Sequence, residues 1–170
     1  MPVLKKLRGL WQNRGLTESA GQVCPSEFEG DGTKNLEARK IVRGSLNLRH
    51  VDAGSCNGCE IEITSSFGPL YDAGRFGVSM VASPRHADGV LVTGPVTRNM
   101  LGLLLKTIQA LPEPSLVVAL GGCARDCGSF KGAYGVSGAV GDFCDVDLFI
   151  PGCPPDPNVI VNAFRSITHR

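Results

Sequence analysis

Residues 45–59 read SLNLRHVDAGSCNGC, and this stretch decides the architecture. Residues 45–52 read as a strand, and residues 56–67 turn helical after a glycine turn. A strand that passes through a short turn into a helix is the opening half of a crossover unit. Outward from it the alternation continues. Strand-like runs recur at 77–82, 89–93, 116–120 and 146–150. A helix is expected over residues 97–110, closed by Pro112 and Pro114, and another over 157–168 with Pro157 in its first turn. Strands separated by helical segments predict an α/β fold built on a parallel sheet. The sequence shows no internal repeat and no low-complexity tract.

The cysteines acquire meaning from this alternation. Cys56 and Cys59 follow the first strand, Cys123 follows the 116–120 strand after Gly121-Gly122, and Cys153 follows the last strand after Pro151-Gly152. All four therefore fall at strand carboxyl ends, which gather on one edge of an open parallel sheet, where ligands bind. Positions far apart in sequence can converge there into a four-thiolate cage.

The chain has 170 residues with seven cysteines, 22 glycines and 11 prolines. The odd cysteine count, with no secretory or twin-arginine signal pattern in the first thirty residues, argues against a disulfide framework and for reduced thiols in the cytosol. Formal net charge is +1. That balance gives no indication of a nucleic-acid partner, and no apolar run is long enough to span a membrane. Residues 1–44 stand apart, with eight basic and five acidic side chains. Val3, Leu4, Leu7, Leu10 and Trp11 recur there at helical spacing beside Lys5, Lys6, Arg8 and Arg14, a basic amphipathic pattern suited to docking on a partner or an anionic membrane surface, or to covering the domain's own core. Two units follow, an extension over 1–44 and an α/β domain over 45–170.

Four thiolates suit zinc or an iron-sulfur cluster. One close pair completed by two distant singletons departs from the paired C-x-x-C modules of structural zinc. A redox dithiol would leave Cys123 and Cys153 without a role. Spacing thus favours a cluster. Gly54, Gly58, Gly121, Gly122 and Gly152 let backbone approach it closely and offer N–H donors to its sulfurs.

Four ordered motifs carry a resemblance: DAGSCNGCE at 52–60, SPRHAD at 83–88, TGPVT at 93–97 and PGCPP at 151–155. Residues 46–167 resemble the small subunit of membrane-associated, energy-converting nickel-iron hydrogenases of the formate hydrogenlyase and hydrogenase-4 type, a family homologous to the complex I subunit that carries the last cluster before quinone. The complex I branch has adjacent cysteines at its first pair, whereas two residues separate Cys56 from Cys59, as in the hydrogenase branch. The resemblance implies a flavodoxin-like domain with helices on both faces. It implies one proximal 4Fe-4S cluster on Cys56, Cys59, Cys123 and Cys153. It also implies three kinds of partner on the cytoplasmic face of a membrane: a hydrogenase-like large subunit, a ferredoxin-like iron-sulfur subunit and membrane-arm subunits. The alternative is a complex I type subunit passing electrons to quinone. A nickel-iron centre in this superfamily needs two C-x-x-C pairs, and Cys24, Cys127 and Cys144 cannot supply them. Catalysis would belong to a partner and this chain would relay electrons.

Cys127 is the alternative third ligand, because the third motif carries an extra thiol where many relatives show glycine; Cys123 is favoured by its place directly after a strand and Gly-Gly. Glu60 adjoins the ligand pair and is a candidate for a proton path or for orienting the loop, or simply an acid at a helix start. Arg85 and His86, in the loop after the second strand, are candidates for tuning the cluster's potential.

Overall fold

Leu46 and Leu48 on the first strand are fully buried on one side of the sheet, and Val51 turns to the other. That alternation recurs along each central strand and requires a sheet covered on both faces. A computed structural model of the chain describes Val42 and residues 44–170. The expected helix over 3–11, Cys24 and nearly all of the basic segment 1–44 lie outside the described residues.

Five strands form one parallel sheet: β1 (Leu46–Asp52), β2 (Val78–Met80), β3 (Gly89–Thr93), β5 (Leu116–Leu120) and β7 (Leu148–Ile150), in the order β2-β1-β3-β5-β7. The chain leaves β1 toward β2, then crosses back to build the other half from β3. This is the flavodoxin-like order, with a topological switch point between β1 and β3. A two-stranded ribbon pairs β4 (Val96–Thr97) with β6 (Val136–Gly138) in antiparallel fashion.

Side chains from alternate positions divide the core in two. Leu91, Leu116, Val118, Leu120, Leu148 and Ile150 face one layer with helices α1 (Gly58–Ser66) and α4 (Pro157–Thr168), where Phe164 has no accessible surface. Val90, Val92, Val117 and Ala119 face the opposite layer with α2 (Arg98–Gln109) and the short α3 (Gly122–Asp126). Each large buried apolar side chain contributes about 1.5–3 kcal/mol relative to exposure. Gly89 leaves room for the start of β5, since a Cβ there would lie 2.5 Å from the Leu116 carbonyl oxygen. At the start of α4, Asp156 caps the helix by accepting from the Asn158 N–H at 2.8 Å, with Pro157 following it. No helix among the described residues is long and apolar enough to cross a membrane.

Candidate metal centre

The carboxyl ends of β1, β3, β5 and β7 open onto one crevice. After β1 the chain is turned by Asp52, whose Oδ1 accepts from the Gly54 N–H at 2.8 Å and the Ser55 N–H at 2.7 Å. Ser55 Oγ then accepts from the Asn57 N–H, and Asn57, with a left-handed φ of 70°, starts α1. Cys56 is left exposed at the turn, while Cys59 is buried in the first turn of α1 with its thiol 4.0 Å from the Leu120 carbonyl oxygen.

Beyond β5 the backbone is held tightly to the loop after β7. The Gly121 N–H donates to Ile150 O and the Gly122 N–H to Gly152 O, each at 2.8 Å. Gly121 has φ +91°, and a Cβ on it would lie 2.8 Å from Cys59 Sγ, so only glycine lets the β5 loop pass beside that thiol. Cys123 sits on α3 and Cys153 in the exposed loop after β7.

These four thiols wall a cavity of about 110 Å³, whose remaining lining is Gly58, Gly94, Gly122, Gly152, Ser55 and Pro154. Cys127 does not line it. Cys127 is buried at the end of α3 with φ 67°, and burial raises its pKa together with the carboxylates of Asp142 and Asp126. Cys144 lies before β7, at the far end of the sheet, and its thiol donates to Val140 O at 3.4 Å.

The cavity thiols perturb one another. Burial pushes Cys59 up to about 12, reinforced by Glu60 and by the other three thiols, Cys123, Cys56 and Cys153. Burial raises Cys123 as well, with Cys153 next in weight. Raised in this way these two thiols hold their protons, and a bound cationic group would be needed to favour four thiolates here. Among the described residues no three His, Cys, Asp or Glu groups converge tightly enough to hold a single metal ion. The thiols frame a glycine-lined space, an arrangement that fits a multi-atom iron-sulfur cluster better than one tetrahedral zinc.

Beside the cavity lies a polar chain. Thr93, fully buried at the end of β3, donates its hydroxyl proton to Glu60 Oε1 on α1, and His50 Nε2 on β1 is 2.9 Å from Thr93 Oγ1 and 3.6 Å from Glu60 Oε1. Glu60 Oε2 is buried with no hydrogen-bond partner among the described residues. Burial lowers the His50 pKa, against the pull of the Glu60 and Asp52 carboxylates and with a smaller contribution from Arg49. Sequence reasoning missed His50 and Thr93. The available signal was period two: Leu46, Leu48 and His50 share a strand face, placing an imidazole in line with two core leucines.

Arg85 and His86 stand on an exposed single turn after β2 and do not line the cavity. Asp88, which follows this turn, accepts through its carboxylate from the Asn47 N–H and side-chain amide, at 2.7 and 3.1 Å. Glu60 does not line the cavity either, but it follows Cys59 on α1 and its charge acts on that thiol.

Residues 56–167 match the family model described as NADH ubiquinone oxidoreductase, 20 Kd subunit. Formate hydrogenlyase subunit 7 of Escherichia coli is 44% identical over 125 residues, covering 74% of this chain and 49% of that protein. The chain thus spans about half the length of that relative. A probable membrane-bound hydrogenase subunit of Pyrococcus furiosus is 42% identical over 134 residues, covering 76% of this chain and 80% of that protein. Among solved structures, a chain of the membrane-bound sulfane sulfur reductase, an archaeal respiratory membrane complex, superposes with a TM-score of 0.66 at 30% identity, covering 77% of this chain and 72% of that one.

Proposed function

Because the chain belongs to the NADH ubiquinone oxidoreductase 20 kDa subunit family, we propose that it is the electron-relay subunit of a membrane-associated, hydrogenase-like oxidoreductase complex. In this reading one 4Fe-4S cluster is bound by Cys56, Cys59, Cys123 and Cys153. The observation that carries it is the meeting of four thiols from three strand ends and one helix start around a single cavity that excludes Cys127. A cluster bound there supplies storage and release of one electron.

The chain's own residues do the rest. The thiols bind. Gly94, Gly122 and Gly152 bring backbone against the bound group, and exposed Cys56 and Cys153 mark the side from which a partner subunit covers it. Glu60, one residue from Cys59, places a carboxylate beside that ligand. Among the described residues the remaining thiols, Cys127 and Cys144, form no C-x-x-C pair of the kind a nickel-iron centre needs, and in this reading bond chemistry belongs to a large-subunit partner. A ferredoxin-like subunit and membrane-arm subunits complete the assembly on the cytoplasmic side of the membrane. The two residues between Cys56 and Cys59 favour the hydrogenase branch over the quinone-reducing one, and the two curated relatives above agree with that choice.

Anaerobic purification followed by iron and sulfide analysis and reduced-state EPR tests the reading. The expected result is about four iron and four sulfide per chain with a one-electron EPR signal. Alanine at Cys123 abolishes it and alanine at Cys127 preserves it. A colourless chain holding zinc, or iron lost with Cys127 and kept without Cys123, overturns the ligand set.

A further inference from the structure

His50, Thr93 and Glu60 come from three different elements that meet at the switch point of the sheet, and their hydrogen bonds have a determinable direction. A threonine hydroxyl has one proton. That proton is donated to Glu60 Oε1. Thr93 Oγ1 must then accept from His50 Nε2, 2.9 Å away, which requires the imidazole to carry its proton on Nε2. Burial, which disfavours the imidazolium, is consistent with a neutral ring holding that single proton. The far end of the chain is Glu60, the residue that follows Cys59 in the first turn of α1.

We propose that His50 and Thr93 are positioning residues: through one directed chain, His50 Nε2–H to Thr93 and Thr93 O–H to Glu60, they hold the Glu60 carboxylate beside Cys59 and disperse its charge, and so set the potential of the group bound at the four thiols. The inference rests on the cluster reading above. Thr93 is fully buried, and valine would fill nearly the same space, so packing alone does not call for a hydroxyl there. His50 extends the line of Leu46 and Leu48 toward the strand end, where its side chain is 29% exposed and its imidazole reaches Thr93 Oγ1. Dispersal by hydrogen bonds makes the carboxylate a weaker negative neighbour, which favours the reduced, more negative form of the bound group.

The test uses the loaded chain, with iron content measured first for every variant. Thr93→Val and His50→Leu should each shift the midpoint potential downward, read by dithionite titration followed by EPR, with iron per chain unchanged. Thr93→Ser and His50→Gln, which keep a donor in place, should restore the wild-type value. In a Glu60→Gln background, Thr93→Val should produce no downward shift. An upward shift, no shift, or the same shift in the Glu60→Gln background overturns the proposal. Correlation of ¹⁵N and ¹H shifts of His50 supplies a readout independent of the cluster: the Nε2–H tautomer is expected, lost in Thr93→Val, and an Nδ1–H tautomer in the wild type overturns the proposal. If the chain binds no iron, the cluster reading fails by itself while the tautomer still tests the direction of the chain.

Discussion

Replacing Gly121 with alanine puts the site's construction under the most direct strain. Two costs add. The residue sits at φ +91° and ψ 156°, a region nearly reserved for glycine, where another residue carries about 1–3 kcal/mol of strain. The new methyl would also stand 2.8 Å from Cys59 Sγ. That sulfur has little room to yield, being buried in the first turn of α1 and backed by the Leu120 carbonyl. Overpacking of this kind costs about 1–3 kcal/mol. A total near the middle of the summed range, about 4 kcal/mol, corresponds to about a thousandfold faster cluster loss if the strain is relieved when the site opens. The assay is the decay of cluster absorbance under anaerobic chelation, with iron per chain as the endpoint. Gly132→Ala provides the control, because Gly132 has φ +80° but nothing within 4 Å of a Cβ. It should carry the backbone strain alone and release its cluster at close to the wild-type rate. Equal release rates for the two variants would refute the claim that Gly121 is required by its contact with Cys59.

Other consequences follow from burial and charge. Phe164→Ala, in the layer under α4, should cost about 3–5 kcal/mol and lower the midpoint of thermal unfolding. The His50 pKa is depressed in the fold, so its contribution to stability is complete above its ordinary value of 6.5 and is lost as pH falls through the lower folded value. Stability should therefore decline on acidification with a slope from this residue below about 1.4 kcal/mol per pH unit, and His50→Gln should flatten that part of the profile. Burial raises the Cys144 thiol to about 11, with Asp145 and Asp147 adding to it. At pH 8 its alkylation by iodoacetamide should run about a hundredfold slower than that of an unperturbed thiol, and a rate equal to free cysteine would contradict the burial. Glu60→Gln should lower turnover of the assembled complex while iron content stays normal, and unchanged turnover would leave Glu60 a structural role only.

Much of this arrangement is legible in the sequence because its signals are local. The apolar runs at 89–93 and 116–120 coincide with β3 and β5, and Pro157 marks the start of α4. The parallel order follows from the alternation, and the cysteines report their own positions by standing just past the strands. What escaped is short or depends on distant partners. The ribbon of Val96–Thr97 with Val136–Gly138 is too brief to show a period, and its two strands are separated in sequence by α2, β5 and α3. Helix α3 occupies five residues behind Gly121 and leaves no amphipathic repeat. β2 is shorter than the expected 77–82 run, ending at Met80. The His50, Thr93 and Glu60 contacts exist only once β1, β3 and α1 are packed, so no window of sequence contains them. The separation of Cys123 from Cys127 likewise depends on the direction in which α3 leaves β5, which the C-x-x-x-C spacing does not encode.

The hydrogen bond from the Gly122 N–H to Gly152 O joins two loops that belong to different strands. The four-thiol lining is complete only with Cys153, which lies beyond β7, the last strand of the chain. During synthesis a nascent chain would therefore expose the first two thiols as an ordinary reactive pair, long before anything could be captured between them. If the four thiols hold the proposed cluster, loading would in this sense be an inspection step: the bound group would be acquired only by a sheet that has been finished, and a chain stalled or cut before its last strand would be recognisable by its failure to take colour.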